Sequence, residues 1–451
     1  MTTILATPAG QPRPILGDAA ATVPTDGAPD RAPDLAAAVA GGAFAALRSV
    51  VGDLGPTGTV ATIAASGLRG RGGAGYPAGT KWRAVAGAAD PVRYVVGNGY
   101  EADPAQATNR VLMEARPFAV VEGIAIAALA VGARQAIIAV RAEYADAVRA
   151  LEAAAFAAEE AGFLGTNILG SGRDVAVTIR TVQGAYMLGE ETVLLAALEG
   201  RRGQPEQRPP YPTERGFFGH PTVVHNVVTL ATVPWIVANG IDAFRAIGDP
   251  DAPGTVLVQV SGAVGNPGIV EVPTGTTLRE LVDLAGGVAP GHAFKAALVG
   301  GPSGGLLPAE LLDTPYSFDA LRATGAHVGS GGVVIADERA CVVDLARLLV
   351  RYAADEACGK TIPCRIGLRR LAEIGERYVD GTARPGDPKL LADLADDCAA
   401  SALCDHERLA PGPLRTAMRY FGPEIDDHIL RGVCPAGVCS PIRLPAAATG
   451  R

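Results

Sequence analysis

With 451 residues the chain is long enough for two or three domains, each able to bury its own core. Apolar residues make up 48% and charged residues 19%, an ordinary globular balance, and the net charge of -8 excludes nucleic acid as a partner, because phosphate binding needs a basic face. No apolar run approaches the roughly 20 residues that span a bilayer. The first residues also lack a charged stretch followed by a continuous apolar one, so a cytoplasmic protein with no membrane span of its own is expected.

Residues 1–35 are rich in Pro, Ala, Gly, Thr and Asp without periodicity and predict a disordered tail. Over 36–247 alanine-rich helical stretches (Val120–Ala130, Tyr144–Ala161) alternate with β-branched runs (Tyr94–Val96, Ala136–Val140, Val175–Ile179). That alternation predicts an α/β layered domain with a mainly parallel sheet. A Gly/Pro/Asp-rich connection at 248–254 opens a third segment, 248–335. In it Val256–Gly262 and Gly268–Val272 read as paired strands, and Thr277–Ala285 as a helix with Glu280 placed for a capping box. The pattern turns helical over 336–430 (Val343–Tyr352, Arg365–Tyr378, Lys389–Ala399, Leu414–Phe421), and 431–451 reads as a C-terminal tail.

The stretch Gly67-Leu-Arg-Gly-Arg-Gly-Gly-Ala-Gly75 holds five glycines in nine residues. Its G-x-G-x-x-G match at Gly70, Gly72 and Gly75 follows a helix-like run rather than a strand, so it is not the Rossmann fingerprint. Glycines still permit positive φ and close backbone approach, and Arg69, Arg71 and Lys81 add positive charge. A phosphate cradle is weighed against a bare surface loop. All seven cysteines lie from Cys341 onward. In a large chain without an export signal such clustering points to a metal or redox centre, the alternative being thiols that fill core positions.

The run Ser66-Gly-Leu-Arg-Gly-Arg-Gly-Gly-Ala-Gly-Tyr-Pro-Ala-Gly-Thr-Lys-Trp82 resembles the signature of the NADH-binding flavoprotein subunit of respiratory complex I. The same family includes the diaphorase subunits of formate dehydrogenases and hydrogenases, and the similarity runs from about Gly41 to the C-terminus. The resemblance implies a Rossmann-like flavin/NADH domain, a β-grasp (ubiquitin-like, soluble-ligand-binding) domain and a helical iron–sulfur domain. It implies that Gly70, Arg71, Gly72, Gly73, Gly75 and Lys81 hold phosphate and flavin. Tyr76 and Tyr211, where the family has phenylalanines, would clamp NADH, and Asn98, Glu101, Tyr186, Gly189, Glu190, Glu191 and Asn226 would line the FMN pocket. Leu188, Asp103, Ala105, Arg208 and His225 depart from the family residues, and Tyr100 stands where an aspartate normally holds the flavin edge. Read locally, Glu190 and Glu191 could equally be solvated charges at a helix start, and His225 is a structural histidine.

A 4Fe–4S cluster takes four thiolates, three of them from a C-x₂-C-x₂-C turn. Here Cys358-Gly-Lys-Thr361-Ile-Pro-Cys364 keeps that frame with threonine in the middle, and Cys404 matches the family's remote ligand. Three outcomes follow: a 3Fe–4S cluster on three cysteines, a 4Fe–4S cluster recruiting Cys398 or water, or an empty site. Cys434-Pro-Ala-Gly-Val-Cys439 resembles a segment that leads to ferredoxin domains in some members, and a metal shared across chains is the other reading.

The resemblance thus implies hydride transfer from NADH to FMN and single electrons to an iron–sulfur centre. The partners it implies are other iron–sulfur subunits, such as a 2Fe–2S thioredoxin-like one, at the inner face of a membrane through a larger complex. A flavin-only or catalytically silent docking subunit is the alternative.

Overall fold

Residues 2–8, 10–17, 22–23 and 33–439 are described by the computed structural model. They divide into two units, Met1–Gln259 with Gly268–Thr276, and Val260–Pro267 with Thr277–Arg451.

In the first unit helices α1 (Gly55–Ser66) and α2 (Ala78–Ala86) flank the glycine loop and lead to strand β1 (Tyr94–Gly99). Then come α3 (Thr108–Ala115), α4 (Pro117–Val131), β2 (Gln135–Arg141), α5 (Ala145–Glu160) and β3 (Ala176–Val182). Helix α6 (Glu191–Leu198), β4 (Thr222–Asn226) and α7 (Val227–Asn239) complete the layer. The four strands are all parallel, in the order β3-β2-β1-β4. This is the first part of a doubly wound order, in which connections reverse between β1 and β4 and the strand ends there face a crevice. β2 is buried along nearly its whole length, whereas β3 is half exposed as an edge.

Helix α4 carries almost no polar residue and is buried nearly all round, as such a helix must be. Its Gly123 lets α7 approach: a Cβ there would stand 2.0 Å from the Leu230 carbonyl oxygen. The one carboxylate on α4, Glu122, is buried and accepts the N–H groups of Phe44 and Leu47 at 2.8 and 3.0 Å.

Strand β5 (Thr255–Gly262) is divided between the units after Gln259, and β6 (Gly268–Pro273) groups with the first unit. One expectation is corrected: the N-terminal segment, expected within a disordered tail over 1–35, is in part folded. Ile4, Leu5, Ile15 and Leu16 are buried, and the N–H groups of Ile15 and Leu16 donate to the buried Glu271 carboxylate on β6 at 2.9 and 2.7 Å. Positions 1, 9, 18–21 and 24–32 of that tail, and 440–451 of the C-terminal one, lie outside the described residues.

The second unit holds α8 (Leu278–Leu284), capped by Thr277 with the reciprocal Glu280 contact that the sequence predicts. Strands β7 (Phe294–Val299), β8 (Gly305–Leu307) and β9 (Gly332–Asp337) follow, with β7 antiparallel to both others. Its helical end comprises α9 (Val342–Asp355), α10 (Leu368–Val379), α11 (Asp387–Ala400), α12 (Asp405–Leu409) and α13 (Gly412–Tyr420). Among the described residues no helix is long and apolar enough to cross a membrane.

Candidate active site and metal centres

The glycine loop leaves α1 through Gly67 in the left-handed region and closes on itself, the Gly70 N–H donating to the Tyr76 carbonyl at 2.9 Å. Gly73 and Gly75 also take positive φ. A Cβ at Gly72 would lie 3.2 Å from Asn226 Cβ, so the bare backbone rests directly on the C-terminal end of β4. Asn226 in turn caps α7, its Oδ1 accepting the Val228 N–H at 2.8 Å. Across the sheet Asn226 is the register partner of Asn98, so the two asparagines flank the point where strand order reverses.

Lys81, on α2, is the fixed cation of this cleft. Its Nζ reaches Glu191 Oε2 at 2.5 Å and the Val224 carbonyl at 3.2 Å. Arg208 Nη1 donates to the other oxygen of Glu191 at 3.1 Å, and Arg208 Nη2 lies 3.6 Å from Glu190. Glu190 is the N-cap of α6, accepting the N–H groups of Thr192 and Val193, and burial raises its pKa. Asn98 Nδ2 donates to the Gly189 carbonyl at 3.0 Å and ties β1 to this segment. Tyr186 and Gly189 lie in the single 3₁₀ turn just before it. The sequence singled out every one of these residues except Arg208, which it treated only as a replaced lysine. Tyr76 and Tyr211 are 51% and 52% exposed, as rings open to a stacking partner must be.

Two predicted residues, Arg71 and Glu101, sit elsewhere, and so does Tyr100, which stands in place of the expected aspartate. Arg71 is buried, its Nη2 donates to the Pro253 carbonyl at 2.7 Å, and burial lowers its pKa to about 10, so its guanidinium does not add charge to the loop. Glu101 is buried and spent on the start of α3, accepting Asn109 N–H at 2.7 Å and Arg110 N–H at 3.1 Å. Tyr100 is buried, and its hydroxyl donates to the Gly184 carbonyl at 2.5 Å. His225 accepts from Trp82 Nε1 at 2.9 Å and is kept neutral, burial first and the Lys81 charge second lowering its pKa to about 3. It is structural, as the sequence suggests.

The cysteines form two separate groups. Cys358, Cys364 and Cys404 gather around the turn Pro363–Gly367 and the start of α12, with Cys364 and Cys404 buried. Burial, then Glu407, Cys404, Cys358 and Cys398, pushes the Cys364 thiol up to about 12. Thr361 Oγ1 donates to Glu407 Oε2 at 3.0 Å. The second group brings Cys434 and Cys439 against Cys341 and His428 of the same chain, rather than across chains. Cys341 Sγ lies 3.3 Å from His428 Nε2, Cys439 Sγ lies 3.5 Å from each, and all four donor atoms stand within 4.8 Å of one another. His428 Nδ1 donates to the Glu424 carbonyl at 2.7 Å, which leaves the Nε2 lone pair for a metal. Three thiols and an imidazole so spaced fit one tetrahedral ion such as zinc, with Zn–S near 2.3 Å and thiolates about 3.8 Å apart. A cubane spreads its thiolates over four iron atoms and does not fit. Sequence reading missed Cys341 and His428 because 87 positions separate them. The paired Cys434 and Cys439 were the available signal.

Comparison with known proteins agrees with this layout. Residues 63–235 match the Nuo51 FMN-binding domain, residues 257–307 the SLBB domain, and residues 344–428 the NADH-ubiquinone oxidoreductase-F iron-sulfur binding region. The chain is 40% identical over 400 residues to the HndC subunit of the NADP-reducing hydrogenase of Solidesulfovibrio fructosivorans, covering 88% of this chain and 81% of the relative. It is 41% identical over 397 residues to the F 2 subunit of the NADH-quinone oxidoreductase of Rhizobium meliloti, covering 88% and 94%. Among solved structures it is similar to an NAD+-reducing [NiFe]-hydrogenase in the H2-reduced state, with TM-score 0.78 and 36% identity. That match spans 86% of this chain and 65% of the hydrogenase chain.

Proposed function

The chain belongs to the family of NADH-quinone oxidoreductase F subunits and hydrogenase diaphorase subunits, and from that premise we propose that it oxidises NADH at an FMN held in the β1/β4 crevice and passes electrons to an iron–sulfur centre. The carrying observation is the group of Lys81, Glu191, Arg208 and Glu190 beside the glycine loop, at the strand ends where a doubly wound sheet takes its ligand.

The residues present fit a phosphorylated flavin. Gly70, Gly72, Gly73 and Gly75 offer backbone without side chains, Lys81 supplies a positioned cation, and Asn98 and Asn226 offer amides at adjacent strand ends. When bound, FMN accepts a two-electron hydride and releases electrons one at a time. The protein's part is position and charge. Glu191, fixed by two cations, is left to accept hydrogen bonds from ribose hydroxyls, and Tyr76 and Tyr211 present flat faces to the nicotinamide and adenine rings. Glu190 keeps α6 in register through its cap, so the Gly189 backbone stays bare beside the flavin position. No side chain is needed as a covalent catalyst.

Thr361 departs from the four-thiolate pattern, so the cluster site has three thiols and other donors. The family places the chain within multi-subunit assemblies, and the finer reading is a neighbour carrying a 2Fe–2S centre, at the cytoplasmic face of a membrane. Anaerobic purification with FMN and iron quantified, then optical spectra after NADH, tests the proposal. Flavin bleached by NADH is expected; protein that stays without flavin after reconstitution leaves a docking subunit.

A further inference from the structure

The turn that carries Cys358 and Cys364 presents a hydroxyl, not a thiol, at its middle position, and that hydroxyl is not idle. Thr361 Oγ1 and the Leu403 N–H both donate to one oxygen of Glu407, Oε2, at 3.0 Å each. Glu407 lies on α12, three residues after Cys404, and is 1% exposed. Its second oxygen, Oε1, is buried with no hydrogen-bond partner. A buried carboxylate oxygen left alone is among the least tolerated arrangements in a protein interior, and a bound cation resolves it. Cys364 and Cys398 both lie within the field of the carboxylate.

Cys398 is the rival fourth ligand, and its packing argues against it. Its Sγ points to the Pro363 carbonyl at 3.5 Å and would lie 2.6 Å from a Cβ on Gly367. Like Cys364 it packs in the apolar cluster with Leu368, Leu371 and Leu391, but it stands on α11, outside the turn from Cys358 to Cys364. A free cysteine so placed behaves as a small hydrophobe.

Resting on the reading that this site holds an iron–sulfur centre, we propose that Glu407 completes the ligand set through Oε1, beside the thiolates of Cys358, Cys364 and Cys404, while Thr361 acts as a positioning residue on Oε2. One iron then carries a hard oxygen ligand among three irons with soft thiolates, and is distinguishable from them.

The test compares the full-length wild-type chain with Glu407→Gln, Glu407→Cys, Cys398→Ala and Thr361→Val, each reconstituted anaerobically with iron, sulfide and FMN. Iron per FMN is measured together with Mössbauer and EPR spectra. The wild type should hold about four irons, one with a distinct Mössbauer doublet. Glu407→Gln, nearly isosteric, should lose about a quarter of the iron and show the EPR signal of an oxidised three-iron centre. Glu407→Cys should keep the iron and erase the distinct doublet, and Cys398→Ala should match the wild type. Thr361→Val should keep the iron while shifting that doublet alone; an unmoved doublet removes Thr361 from the assignment. A full iron complement in Glu407→Gln, a three-iron wild type, or loss of iron in Cys398→Ala overturns the ligation by Glu407. FMN binding without iron in any variant overturns the cluster reading and this inference with it.

Discussion

In the first unit the cleft groups satisfy one another: Lys81, Glu191, Arg208 and Glu190 form a closed set of ion pairs and caps. In the second, the cysteine turn keeps a carboxylate oxygen buried without a partner. The same contrast governs two of the residues that depart from the expected pattern. Tyr100 in place of an acid is taken out of the cleft, its ring buried and its hydroxyl bonded to the Gly184 carbonyl. Thr361 in place of a thiol stays at the site and engages Glu407. A lost ligand can thus be neutralised by folding it into the core, or replaced by a new donor nearby. The electrostatics differ accordingly. A closed charge set is preorganised before any ligand arrives, whereas an open carboxylate among thiols is completed only by a cation.

The largest effect is expected where the closed set is opened. Lys81→Met removes the cation that Glu191 and the Val224 carbonyl fix, and should lower NADH-dependent flavin bleaching by about 10²-fold, with reduced FMN content. Bleaching at the wild-type rate would mean that the pair is an ordinary surface contact and the cleft lies elsewhere. Next in size is the Cys341, His428, Cys434 and Cys439 quartet. Cys341→Ser should lower zinc affinity by about 10- to 100-fold, read by metal analysis after dialysis against a chelator. Zinc retained through that dialysis would sink the quartet as a site, while iron in its place would show that softness rather than spacing selects the metal.

Much of this was legible in the chain itself. The β1, β2 and β3 runs, the helices around them and the Thr277 cap are local signals, set by β-branching, alanine content and a capping box, and they appear where those signals stand. What could not be read was long-range. Ile15 and Leu16 look like part of a low-complexity tail, and only Glu271, 256 and 255 positions away, makes them core. Arg71 and Glu101 carry the right charges in the right motifs, but burial turns one to Pro253 and commits the other to the start of α3. Cys341 and His428 offered no spacing pattern, and Glu407 stands in no motif. Motif reading locates a loop; it does not say which way each side chain on that loop is turned.

Acid should weaken the first unit. His225, under Lys81, has its pKa depressed to about 3, so the unfolded chain, with histidine near 6.5, binds the extra proton first. Its contribution is therefore full above pH 6.5 and lost as pH falls toward 3, by about 1.4 kcal/mol per pH unit inside that window. Thermal melts of the flavin-bearing unit should show that slope in the wild type, and His225→Gln should flatten it. An equal slope in the variant would assign the acid sensitivity to other groups.

The smallest effect falls on Tyr100, and it decides how the first comparison is to be understood. If Tyr100 has left the cleft, Tyr100→Phe deletes only the hydroxyl that donates to the Gly184 carbonyl, leaving that acceptor unpaired next to a buried ring. The cost should be about 1 kcal/mol, a fall in Tm of about 2–4 °C, with FMN affinity within about twofold of wild type. A flavin affinity that drops tenfold while Tm holds would place the phenol in contact with the cofactor. Tyr100 would then be a substitute ligand like Glu407, and the two sites would have met the loss of an expected residue in the same way.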